Sequence, residues 1–232
     1  MNLLNKKLCP FCGSKLLYII SETSLKCSTC KKKYSTKKLE IDSKCIEFFC
    51  NDISVKKCAQ SLEVNYKTIQ DRYMDFRKLI LLHVEDEYQS SHTMFTEYDE
   101  YYFLPKNKRG KVKHLFESIG ILGQIYDKTV YTILLPDQFS HLRKEAFFNP
   151  EINFAYLKEY SKFLNRYKIV HYEEFDSKII RFWVFLEKKL LHFKGISRDN
   201  FAFYLKEYEF KFNYTQEEQQ NILWKLWIDI KR

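Results

Sequence analysis

Two Cys-x-x-Cys pairs, Cys9-Pro-Phe-Cys12 and Cys27-Ser-Thr-Cys30, set the strongest constraint on how this 232-residue chain begins to fold. Each pair makes a tight turn that aims two thiolates at one point. The fourteen residues between Cys12 and Cys27 suffice for a hairpin that returns the second pair to the first. The spacing predicts a zinc ribbon in which Cys9, Cys12, Cys27 and Cys30 hold a structural Zn2+. The neighbouring Lys26 and Lys31 to Lys33 favour the thiolate form. A pair of disulfides is the competing arrangement, and it expects an export signal; Met1-Asn2-Leu3-Leu4 leads instead into charged residues. Cys45, Cys50 and Cys58 fall in helix-like segments without such pairing and read as small core positions. An odd total of seven cysteines fits a reducing cytoplasm.

Charge is unevenly spread. Residues 1–78 carry sixteen Lys and Arg against eight Asp and Glu, whereas the remainder carries twenty-three against twenty-two, so the basic excess sits at the N-terminal end. A positive surface gains affinity for a polyanion by releasing condensed counterions, which makes DNA or RNA the expected partner of this end. Apolar runs such as Leu79 to Leu82 and Thr132 to Pro136 are far too short to cross a bilayer, and no basic amphipathic helix with a wide apolar face stands out. The thirty-seven Tyr and Phe residues read as core.

Between residues 42 and 83 the apolar spacing becomes helical. Ile46, Phe49 and Cys50 make one stripe. Ser54 is placed to cap a second helix with Val55, Cys58, Ala59 and Leu62 inward, and Glu63-Val64-Asn65 turns the chain. A third helix carries Ile69, Tyr73, Phe76 and Ile80 at spacings of four, three and four, leaving Lys67, Gln70, Asp71, Met74 and Lys78 outside. This is a helix-turn-helix pattern with Glu63 where the turn glycine usually stands. Lys67, Thr68 and Arg72 are its candidates for phosphate or base contacts.

The polar stretch Glu85 to Thr93 reads as a linker, after which the chain turns aromatic and strand-like. Phe95 to Phe103 makes a strand with an acidic pair, a basic turn follows at Pro105 to Lys111, and Phe116 to Tyr126 and Thr129 to Pro136 form two more strands joined at Asp127-Lys128. A helix over about 153–165, a short strand Tyr167 to Tyr172 and three further helices complete an α+β order, with breaks at Asp176 and Gly195. In the last helix Ile222, Leu226 and Ile230 are expected to line one face, with Trp224 and Trp227 nearby. An acid on the first strand of a meander, with further acids on later elements, is the order expected of an RNase H-like nuclease core, where carboxylates hold two Mg2+ ions.

Two segments carry a resemblance. Glu97-Tyr-Asp-Glu-Tyr-Tyr-Phe103 with Lys108-Arg-Gly-Lys111 is similar to a first catalytic strand E-x-D-E-x-Y-x-G followed by R-G-K. Phe193-Lys-Gly-Ile196 and Phe203-Tyr-Leu-Lys-Glu-Tyr-Glu-Phe-Lys-Phe-Asn213 match K-x-x-G-I and then Y-L-K-E-x-E-F-R-x-N. On these motifs the chain resembles the bacterial insertion-sequence transposases of the ISXO-like group, over nearly its whole length. The resemblance implies a zinc ribbon over 1–38, a helix-turn-helix over 39–84, a linker over 85–93 and an RNase H-like DDE domain over 94–232. It also implies binding of double-stranded DNA at element ends, a homodimer on DNA, Mg2+-dependent strand cleavage and transfer, and a cytoplasmic, nucleoid-associated location. Carried over by position, Asp99 stands at the first metal-binding aspartate. Glu151, in Glu151-Ile-Asn-Phe-Ala-Tyr156, stands at the second. Phe175-Asp-Ser-Lys-Ile-Ile-Arg-Phe-Trp183 matches the third element H-x-N-x-I-E-x-F-W, with Ser177 for the amide and Ile180 for the carboxylate. An isoleucine cannot ligate a metal, so the same positions also fit a relative that binds DNA without cutting it.

Overall fold

In the computed structural model, the residues described are 7–91, 94–105, 108, 117–137, 177–191 and 196–231. The fold is mixed α+β, with two three-stranded antiparallel sheets and six helices among the described residues. The chain divides into two compact units, Met1–Glu85 with Tyr214–Arg232, and Asp86–Asn213. The last helix therefore belongs with the N-terminal unit, although chain order groups it with residues 94–232.

The first unit opens with the ribbon sheet, β1 (Leu17–Ser21), β2 (Ser24–Cys27) and β3 (Lys33–Ser35), in the order β1-β2-β3. α1 (Thr36–Cys50) follows at once, its N-terminus capped by the Ser35 side chain, which accepts from the Lys38 amide. Ser54 caps α2 (Val55–Leu62) in the same way, as its position before the apolar stripe predicts. α2 ends at Glu63, held in the left-handed region at φ 53°, while the Val64 amide bonds back to the Ala59 carbonyl. The turn thus uses a glycine conformation without a glycine.

α3 (Tyr66–Ser90) buries Ile69, Tyr73, Phe76 and Ile80, the stripe read from the sequence, and adds Val84 and Arg77. Helix continues through Ser90, so most of the expected linker at 85–93 is helical. Tyr88 explains this within the second unit: its ring stacks on Tyr131 with centroids 3.7 Å apart, and its hydroxyl donates to Gln124 Oε1 at 3.1 Å. The final helix, α6 (Gln216–Ile230), starts on a full capping box between Thr215 and Glu218. Its buried face is Gln219, Gln220, Leu223, Trp227 and Ile228, whereas Ile230 is exposed, which corrects the Ile222, Leu226, Ile230 stripe. The helix is turned because Trp227 packs edge-on against Phe76 at 5.0 Å and Ile228 joins the ribbon core with Cys9, Phe11, Tyr34 and Leu39.

In the second unit β4 (Glu97–Phe103), β5 (Ile119–Tyr126) and β6 (Thr129–Leu134) form the expected antiparallel meander. Asp127 and Lys128 both have positive φ, 40° and 64°, the type I′ geometry whose twist matches a two-residue hairpin. Tyr101, Phe103, Ile121, Ile125 and Val130 bury on the face covered by α4 (Lys178–Leu190) and α5 (Arg198–Asn213). α4 contributes Ile179, Phe182, Trp183, Leu186 and Leu190 to that core. The helix and strand expected between 153 and 172 lie outside the described residues.

α5 fastens itself to β6 through charged and polar side chains. Glu209, fully buried, accepts from the Thr132 amide at 2.7 Å, from the Thr132 hydroxyl and from Lys206 Nζ at 3.2 Å. Asn213 both accepts from the Val130 amide and donates to the Val130 carbonyl, at 2.9 and 2.7 Å. These contacts satisfy the Val130 amide and carbonyl and the Thr132 amide, so helical side chains do there what another strand would do.

Candidate metal centre and nucleic-acid surface

The ribbon gathers Cys9, Cys12, Cys27 and Cys30 with their sulfurs all within 4.8 Å of one another. Cys9 Sγ lies 3.6 Å from Cys30 Sγ, and Cys12 Sγ lies 3.6 Å from Cys27 Sγ, so each contact joins one knuckle to the other. None of the four is in a disulfide. A tetrahedron of thiolates with Zn–S bonds of about 2.3 Å has edges of roughly 3.8 Å, so the spacing suits one zinc ion. Among the described residues no other group of three or more His, Cys, Asp or Glu side chains is gathered this closely.

The two knuckles share one backbone design. The Cys9 amide donates to the Ser14 carbonyl at 2.8 Å and the Cys27 amide to the Lys32 carbonyl at 2.9 Å, five residues on in each case. The residue after each second cysteine is left-handed, Gly13 at φ 72° and Lys31 at φ 64°. Glycine suits this position; Lys31 occupies it against the Cβ clash that normally costs about 1 kcal/mol or more.

The backbone amide of Cys30, assisted by that of Thr29, lowers the Cys27 thiol to about 6, whereas burial pushes Cys9 up to about 12. Cys9 and Cys27 thus differ in acidity, and metal binding would release the protons that the thiols still hold. Tyr34 supplies an independent sign of fit. Its hydroxyl is buried with no hydrogen-bond partner, and its acidity is depressed first by burial and then by the charge of the four cysteines. An O–H donor without a partner beside four sulfurs is suited to an anionic thiolate centre. Phe11 meets Tyr34 edge-on at 5.5 Å and Lys32 lies 4.7 Å over the Phe11 ring, closing the centre's flank.

The helix-turn-helix candidates occupy different environments. Lys67 and Thr68 lie exposed in the first turn of α3, with Lys67 paired to Asp71 at 2.9 Å. Arg72 turns inward instead. Its guanidinium pairs with the fully buried Asp42 at 3.1 Å and donates to Cys45 Sγ at 3.7 Å, and Lys231 pairs with the same carboxylate. Arg72 therefore neutralises a buried acid within its own unit. Cys45, Cys50 and Cys58 are buried, as read.

Asp99 sits in the middle of β4, on the face that α4 covers. It pairs in register with Gly123, and Trp183 Nε1 donates to Asp99 Oδ2 at 3.0 Å. Gly123 makes this possible: a Cβ there would lie 2.6 and 2.7 Å from Trp183 ring carbons. Three residues before Trp183, Ile180 packs against the apolar cluster, and Ser177 caps α4 by accepting from the Ile180 amide. Glu151 lies outside the described residues.

Composition and periodicity missed the buried charges. Lys206–Glu209 and Glu207–Lys211 are ion pairs, at 3.2 and 2.6 Å, on side chains less than a tenth exposed. Their three- and four-residue helical spacings were the available signal. All four belong to the C-terminal motif; Lys206 and Glu209 hold α5 on β6, whereas Glu207 and Lys211 pair along the helix itself. No protein-family model, no curated protein and no solved structure matches this chain.

Proposed function

We propose that this protein is a DNA-binding protein of insertion-sequence transposase type, whose ribbon and helix-turn-helix bind element-end DNA and whose second unit derives from an RNase H-like DDE domain. The hydrogen bond from Trp183 to Asp99 carries this reading, because it sets the helix that bears the third acid in such enzymes directly against the strand that bears the first. The antiparallel meander with its acid on the first strand supports it, as does the four-cysteine centre followed at once by a capped helical unit in the basic part of the chain.

The same helix argues against strand chemistry. In the DDE mechanism Mg2+ held by three acids activates the attacking hydroxyl and steadies the leaving oxygen. Asp99 and Glu151 are the residues of this chain available for that role, and Ile180 offers only a packed apolar side chain at the third position. DNA binding without cleavage is therefore the favoured form. A working transposase is the second reading, favoured by Asp99, which stays fixed on a covered sheet face rather than drifting to solvent.

The test is fluorescence anisotropy of the zinc-loaded chain on DNA from the ends flanking its own gene and on scrambled DNA of equal length. The expected result is tighter binding to the ends, lost on chelation and weakening steeply with salt. Equal, zinc-independent binding to both DNAs would refute the reading.

A further inference from the structure

Among the described residues β1 is an edge strand of the ribbon sheet, with neither charge nor proline along it to block pairing. Leu16, Tyr18, Ile19 and Ile20 are 66%, 64%, 82% and 45% exposed. No charge or proline interrupts the run from Leu16 to Ser21. These four side chains expose on the order of 500 Å2 of largely apolar surface, as large as the largest patch on an ordinary monomer.

We propose that β1 is a self-association strand, pairing antiparallel with β1 of a second copy about a two-fold axis at Tyr18. The exposed run Leu16 to Ile20 is centred on Tyr18, so self-pairing sets Tyr18 across from its copy and Leu16 across from Ile20. Tyr18 and its copy then meet on one face of the extended sheet, with the exposed Leu16 and Ile20 at the two ends of the contact. On the opposite face Ile19 meets Leu17 of the copy. The register irregularity between Ile19 and Ser21 against β2 ends the regular stretch at Ile19, so the Tyr18 pair and the two Leu17–Ile19 pairs are the centre of the contact.

Charge selects the same arrangement. The chain's formal charge of +9 opposes association through most surfaces, whereas this run is neutral. Lys15 and Glu22, which flank it, approach each other with opposite sign when the strands run antiparallel. Two copies remove at most roughly 1,000 Å2 in all, near the lower bound for a specific interface, so the dimer is weak. The geometry closes as a pair because an antiparallel two-fold contact uses the same edge on both copies. The inference concerns the free chain and does not rest on DNA binding.

Sedimentation velocity of the full zinc-loaded chain, from about 1 to 300 µM without DNA, reads the equilibrium directly. The expected result is a concentration-dependent monomer–dimer equilibrium. Tyr18→Glu keeps the hairpin, because Tyr18 pairs in register with Lys26, but sets two carboxylates across the axis. It should weaken the dimer at least ~100-fold with zinc content unchanged. Ile19→Lys, at the most exposed position, should do the same. A wild-type monomer at every concentration, association unchanged in both variants, or growth beyond dimers would each overturn the proposal. A wild-type monomer whose DNA affinity fell in Ile19→Lys would assign the patch to nucleic acid instead, and would overturn it equally.

Discussion

Gly123→Ala is the sharpest perturbation of the Asp99 site. The new methyl would lie 2.6 Å from Trp183 Cζ2, 2.7 Å from Cη2 and 2.8 Å from Ile179 Cδ1, all closer than such contacts allow. Neither neighbour can simply yield. Trp183 is 1% exposed and stacked on Tyr101 at 5.2 Å, and Ile179 is 3% exposed in the same cluster. Overpacking of this kind costs about 1–3 kcal/mol. If the indole retreats it also loses its hydrogen bond to the Asp99 carboxylate, about 1.5–3 kcal/mol for a charged acceptor. A total near 3 kcal/mol corresponds to a fall in Tm of roughly 6–12 °C for a chain of this size. Circular-dichroism melting gives the stability and tryptophan emission the displacement. Trp183→Phe, which removes the N–H and shrinks the ring, should make the glycine substitution cheaper, so the double variant should cost less than the sum of the single ones. A Gly123→Ala protein within about 0.5 kcal/mol of wild type, with unchanged emission, would refute the packing argument.

Three further expectations follow from the same geometry. Cys27→Ser removes one of four thiols, so bound zinc measured by elemental analysis should fall well below one per chain and residues 7 to 35 should lose exchange protection; unchanged stoichiometry would count against the centre. Arg72→Ala strands the buried Asp42 carboxylate with Lys231 alone and should cost about 2–4 kcal/mol of stability in urea titration, whereas Lys67→Ala should leave stability intact and reduce the salt slope of DNA binding by about 1; equal stability of the two variants would contradict this division of labour. Burial holds Glu209 up at about 7 against an ordinary 4.5, so the native state keeps its proton more tightly than the unfolded chain. Its contribution is fully present below pH 4.5 and is lost as pH rises through about 7. Stability should therefore decline over that window in wild type and less steeply in Glu209→Gln; a wild-type stability that rises with pH there would contradict it.

What the sequence made legible was local chemistry. Cys-x-x-Cys spacing writes the metal centre into a few adjacent residues, and Ser54 before an apolar stripe writes a helix start, so both survive in the folded chain. The stripe of α3 was equally plain because its period is internal to the helix. Contacts between distant segments were not legible. The face of α6 is set by Phe76 and the ribbon core, far away in sequence, and so the stripe through Ile230 pointed the wrong way. Arg72 looked like a surface cation because nothing near it in sequence announces that Asp42 is buried thirty residues earlier. Nothing near Glu209 in sequence announces that it is interior, because its partner Thr132 lies on β6, far earlier in the chain. Gly123 gives no sign in sequence that it is the space a tryptophan occupies.

The decisive experiment incubates the zinc-loaded protein with Mg2+ or Mn2+ and DNA from the ends flanking its own gene, with Asp99→Ala alongside. Strand cleavage and joining are read on a denaturing gel and binding on a native one. Both proteins are expected to bind the ends and neither to cut them, because Ile180 supplies no oxygen to a third metal-ligand position. Cleavage by the wild-type chain that disappears in Asp99→Ala would contradict it and establish a working transposase with a third ligand from elsewhere in the chain.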